Sequence, residues 1–165
     1  VLKVDFGGKR IRFIGDCIHG VIGRGDKSDD PVRAVADTAL CASAMRSSFN
    51  LCQEILGGLD ELDLAVGIEF GPIPVTRIGR RGDESVRCAA GRAVVVSERM
   101  QQSIDGGGVR LGPVATQHAS RTVRKLYEAA SRIPSFDAAA DLLSDLASPA
   151  VHIVQSDPKA RPHAK

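Results

Sequence analysis

The sequence has no tryptophan, one tyrosine and five phenylalanines, so aromatics make up only 4% of its 165 residues. Its core must therefore be built from Val, Ile, Leu and Ala. The four cysteines, Cys17, Cys41, Cys52 and Cys88, contain no close-paired CxxC. That spacing reads as reduced thiols in a cytoplasmic protein. His19, His118, His152 and His163 form no HxxxH or HExxH pattern, which argues against a zinc site. There is no signal peptide, and no apolar run is long enough to span a bilayer, so a cytoplasmic chain without a membrane segment is expected. A net charge of +2 is too small to argue for nucleic acid. The basic residues are nevertheless clustered, at Arg77 to Arg92 and at Arg121 to Arg132. Such clusters suit a small polyanion or form a solvated face.

What is present is an ordinary globular composition, 43% hydrophobic and 25% charged, in a chain long enough for one domain. The first 23 residues read as strands: "VLKVDF", then "RIRFIG" and "IHGVIG" around Asp16 and Cys17. After the polar loop "GRGDKSDD", Asp30 is a good N-cap and Pro31 suits a first helical turn. Val32, Val35, Ala36, Ala39, Leu40, Leu51 and Ile55 recur at helical spacing, and Gly57-Gly58 stops that helix. "DLAVGIEFG" alternates as a strand, and "IPVTRIG" reads as its return. "RRGDES" is a charged loop and "VRCAAG" a short strand. A helix is expected over Arg92 to Ile104, with Val94, Val95 and Met100 inward. A strand "VRLG", a helix near Pro113 to Ser120, a helix "FDAAADLLSDLA" and an edge strand "AVHIVQ" follow. The order predicts a single α+β domain over 1–155 with helices on one face of a sheet, and a polar tail over 156–165.

Two residues stand out chemically. Asp16 sits at the Gly-Asp turn of "RIRFIGDCIHGVIG". A carboxylate there serves ordinary turn chemistry, or it serves as a rigid, exposed ligand for Mg²⁺ or Mn²⁺. Arg99 lies on the helix after "CAAG". It is either solvated or paired with Glu98, or it clamps charge on phosphate oxygens.

The segments "RIRFIGDCIHGVIG", "LAVGIEFGPIPVTRIGRRG" and "AAGRAVVVSERM" resemble three successive blocks of the class III nucleotide cyclase catalytic domain, over Gly8 to Ile104. The resemblance implies an α/β sandwich with a ferredoxin-like βαββαβ core, a mostly antiparallel sheet and helices packed on it. It also implies a head-to-tail homodimer with shared active sites, and conversion of a nucleoside triphosphate to a 3′,5′-cyclic monophosphate and pyrophosphate. Two Mn²⁺ or Mg²⁺ ions would be held by two aspartates. Asp16 matches the second of these, and Arg99 matches the arginine that stabilises the α-phosphate. Gly71 and Gly79 match glycines of the paired strands and nearby loop. The first metal aspartate would lie on a strand upstream of Val1, and Asp5 is too near Asp16 to replace it.

The family's asparagine four residues before the arginine is Val95 here, and Ser97 or Arg92 could substitute. The triphosphate lysine has no clear match, leaving Arg124 or Lys125. The positions that read a purine carry Arg12 and Cys88. Losing one half of a hydrogen-bonding pair disfavours a specific base, because a buried polar group is left unpaired. "IRFIGDCIHGVI" looks most like the pyrimidine cyclases of bacterial anti-phage signalling. That likeness implies UTP as substrate and cyclic UMP as product. Two alternatives stand beside it. One is an adenylate or guanylate cyclase with an unusual base pocket. The other is a degenerate cyclase-like domain that only binds nucleotide or dimerises; Val95 favours it, and the retained Asp16 and Arg99 oppose it.

Overall fold

A computed structural model describes residues 1–3, 5–23, 30–79 and 85–144. The expected loops over 24–29 and 80–84, the strand "AVHIVQ" and the tail over 156–165 lie outside the described residues. Described elements are β1 (Lys9–Ile14), β2 (Cys17–Val21), α1 (Pro31–Leu56), β3 (Ala65–Ile68), β4 (Val75–Ile78) and β5 (Val86–Ala89). They continue with α2 (Arg92–Gln102), β6 (Gly108–Leu111), α3 (Pro113–His118), α4 (Arg121–Tyr127), β7 (Ala129–Ala130) and α5 (Phe136–Leu143). The result is the α+β architecture expected, and three of the four strand pairings are antiparallel.

α1 starts as the sequence predicts. The Asp30 carboxylate accepts from the Val32 amide at 3.0 Å and Pro31 fills the first turn, where a missing N–H costs nothing. It ends at Gly57, whose amide reaches the Gln53 carbonyl. Val35, Ala36, Ala39 and Leu40 are buried, and they meet Ile68 of β3, Val109 and Leu111 of β6, and residues of α3, α4 and α5 in one core. The helix outruns that core. Ile55 is 78% exposed, so the apolar spacing near its C-terminus serves no burial within the described residues.

Several expectations are corrected. "VLKVDF" is not a strand: Leu2, Lys3 and Asp5 form turns, and the Asp5 amide bonds the Val1 carbonyl at 2.9 Å. β4 forms where expected but does not return along β3. It pairs antiparallel with β5, from Val75↔Ala89 to Ile78↔Val86, while β3 pairs in parallel with β6. Helices cover both faces of the β3–β6–β7 sheet rather than one. Ile68, Val109 and Leu111 face the core that contains α1, whereas Gly67 faces α2. There a Cβ would collide with the Ser97 carbonyl oxygen and the Gln101 amide, so only glycine lets the α2 backbone lie this close. On α2, Val95 is 47% exposed, not inward. α4 and β7 were not anticipated.

Candidate functional site

β1 and β2 pair through Arg12↔His19, Phe13↔Ile18 and Ile14↔Cys17, leaving Gly15 and Asp16 as a two-residue loop. Gly15 has φ +59, and no described non-glycine residue has a positive φ. A positive first residue followed by a negative second is the type II′ pattern, which matches the twist of the flanking strands and requires glycine first. The turn therefore holds Asp16 at an exposed tip by backbone geometry. Its carboxylate accepts no hydrogen bond from the described residues.

Strand alternation then sorts the hairpin into two faces. Phe13 and Ile18 point one way and are 56% and 55% exposed. Ile14, Cys17 and His19 share the other face. With Asp16 they line a cleft of about 230 Å³ whose far wall is Glu98, Gln101 and Gln102 of α2. The spacing 98, 101, 102 marks one side of the helix. Burial is the main reason the Cys17 thiol is pushed up, and the charges of Glu98 and Asp16 add to it. Cys17 is thus held as a neutral thiol beside two carboxylates. His19, Glu98, Gln101 and Gln102 escaped sequence reasoning. Their signals were the period-two match of His19 to Arg12 and the helical spacing on α2.

Arg99 does not line that cleft. It is exposed on α2, about 100° around the helix from Glu98. Arg92 is the first residue of α2, at an N-terminus without a side-chain cap or an acid in its first turn. Arg12 is exposed on β1, and Cys88 is half-buried on β5 opposite Thr76. β1 lies against β5, so these two candidates sit on neighbouring strands. Arg124 and Lys125 are on α4, not on a late strand. The Arg124 Nε donates to the Ala119 carbonyl at 3.1 Å. α4 packs on the α1 side of the sheet, and neither residue lines the Asp16 cleft.

No described group of three or more His, Cys, Asp or Glu side chains could hold a metal ion alone. Asp16 nevertheless fits a site of the kind Mg²⁺ uses, one or two carboxylates completed by substrate phosphates and water. Asp5 is 1% exposed and is not available for such a role. A larger cavity, about 300 Å³, lies elsewhere and is lined by Arg46, Asn50, Arg132, Ile133, Pro134 and Ser135. It contains no carboxylate, and its Arg46 is taken up by an ion pair with Asp63. No described helix is long and apolar enough to cross a membrane.

Comparison with known proteins gives this geometry a context. A uridylate cyclase of a Rhizobium species is 48% identical over 127 residues, 76% of this chain and 24% of that protein. A uridylate cyclase of Pseudomonas aeruginosa is 42% identical over 132 residues, 77% of this chain and 26% of that protein. The crystal structure of a class III adenylyl cyclase-like ATP-binding protein from Pseudomonas aeruginosa superposes with a TM-score of 0.73. It is 36% identical, over 86% of this chain and 31% of that one. The chain is thus similar to class III nucleotide cyclases and shares their fold. No family model matches the sequence. The chain spans about a quarter of the length of the curated relatives it matches.

Proposed function

We propose that this chain is a catalytic domain of a nucleotide cyclase that converts UTP to cyclic UMP and pyrophosphate. The observation that carries the reading is the likeness to two uridylate cyclases at 48% and 42% identity across three quarters of the chain. The type II′ turn supports it, because it presents the Asp16 carboxylate at the mouth of a cleft, with no hydrogen bond from the described residues. In the reaction the ribose 3′-oxygen forms a bond to the α-phosphorus while the bond from that phosphorus to the β-bridging oxygen breaks. Pyrophosphate leaves with the electron pair, and the hydroxyl proton passes to solvent.

Asp16 supplies a ligand for Mn²⁺ or Mg²⁺. Such an ion, if held there with substrate phosphates, would supply positive charge against the triphosphate and the developing charge on phosphorus. Arg99, from the second subunit of a homodimer, faces the α-phosphate. Arg12, Cys88 and Arg92 surround the base and ribose, whereas Arg124 and Lys125, on the α1 side of the sheet, are given no part in this site. The product fits a second messenger made in the cytoplasm during anti-phage defence.

The purified protein with Mn²⁺ is expected to release a cyclic nucleotide from UTP, and Asp16→Ala and Arg99→Ala to lower that rate at least about a hundredfold. Full activity of Asp16→Ala would overturn the metal role. A purine reading draws on the solved neighbour, described as an ATP-binding protein. Offering UTP, CTP, ATP and GTP side by side separates the two.

A further inference from the structure

His19 has no role in the reading above, yet it is placed where the substrate would lie. It is half-buried, lines the Asp16 cleft, and makes no hydrogen bond or ion pair among the described residues. Its cross-strand partner is Arg12, which makes none either. Directly paired residues put their Cβ atoms about 5 Å apart on the same face, so one planar ligand edge can meet both side chains. The pair stands two residues from the ends of the turn, about 7 Å along the strands at roughly 3.3 Å per residue. The tip thus carries the carboxylate, and the Arg12–His19 level lies further along the same face.

The chemistry of the pair is unequal. A guanidinium has five donors and no acceptor, whereas an imidazole can offer a lone pair as well as an N–H. Uracil presents an acceptor, a donor and an acceptor in sequence: O4, N3–H and O2. Arg12 can donate to a carbonyl oxygen but leaves N3–H unserved. We propose that His19 is a specificity-determining residue that accepts the hydrogen bond from the imide N–H of a uracil base, beside a carbonyl oxygen bound by Arg12. The inference rests on the proposed nucleotide-binding role of this cleft. Cytosine, whose N3 is an acceptor, gains nothing from the same lone pair, so His19 favours uridine over cytidine.

The test is equilibrium binding of the α,β-methylene analogues of UTP and CTP, in which the bond that would break is blocked, together with UTP kinetics. Three variants sort the roles. His19→Ala removes the acceptor, His19→Lys offers donors only, and His19→Gln retains a carbonyl acceptor. His19→Ala and His19→Lys are expected to weaken the uridine analogue about tenfold and raise KM for UTP by a similar factor, with kcat little changed. His19→Lys should also shift preference toward the cytidine analogue, and His19→Gln should stay within about threefold of wild type. Wild-type uridine affinity in His19→Ala or His19→Lys would overturn the inference alone. Failure of the unmodified protein to bind the uridine analogue would overturn it together with the proposed function.

Discussion

Tyr127 is the single tyrosine of a chain that lacks tryptophan, so its ionisation can be followed without interference near 295 nm. It is fully buried in the α1–α4 core, where its hydroxyl shares a 2.7 Å hydrogen bond with Ser43. Burial pushes the phenol up to about 12, and the Ser43 contact offsets part of that rise. Absorbance titration of the folded protein should therefore show no ionisation near the ordinary value of about 10. The folded state keeps its proton after the unfolded state has lost it. The associated stability is fully present below about pH 10 and is lost as pH rises towards about 12, a fall of roughly 3 kcal/mol. A normal titration midpoint in folded protein would contradict this placement. None of it was legible in the sequence, because α4 itself was not read. Asp16 was the opposite case: a Gly-Asp pair between two apolar runs carries its own turn geometry, and its exposure could be read directly. His19 fell between the two, since only the hairpin register shows that it faces Arg12.

Elements with local signals were legible and pairings were not. The Asp30 cap, Pro31 and Gly57 bounded α1 because each acts within one turn of its own position. α4 carried a similar signal in Ser120, whose hydroxyl accepts from the Val123 amide at 3.1 Å, but it heads a helix of only 7 residues, too short for a full apolar repeat. β4 was legible, and its partner was not, because β3 before it and β5 after it are both sequence neighbours and strand alternation does not choose between them. Packing of α2 against β3 was equally hidden. It rests on Gly67, where the helix backbone occupies the space of a side chain. Gly67→Ala must push α2 away from the sheet, and with it the wall formed by Glu98, Gln101 and Gln102. The expected loss is about 3 kcal/mol, the upper end of overpacking costs, because backbone rather than a flexible side chain must move. Chemical denaturation measures it, and a midpoint equal to that of the unmodified protein would show that α2 does not sit on β3.

At the scale of the whole molecule, the outer face of the first hairpin leaves large apolar side chains unburied. Phe13 and Ile18 project away from the cleft, and Ile78 and Val86 share one exposed face of the β4–β5 hairpin that lies beside it. Burial of such side chains is favourable by about 1.5–3 kcal/mol each, which suits a face covered by another subunit. The second argument is the phase of α2. One side of the helix carries Glu98, Gln101 and Gln102 into the Asp16 cleft, while Arg99 leaves in another direction. The proposed role of Arg99 at that cleft therefore calls for the Arg99 of a second copy. Mixing inactive Asp16→Ala chains with inactive Arg99→Ala chains tests it quantitatively. Random pairing makes half of the dimers mixed, and each mixed dimer has one site built from both intact residues and one lacking both. Recovery should approach about a quarter of wild-type activity if subunits exchange freely in a two-fold dimer. Recovery that stays at the level of either variant alone, with exchange verified by differently tagged chains, would place Asp16 and Arg99 in the same subunit's site or in no common site.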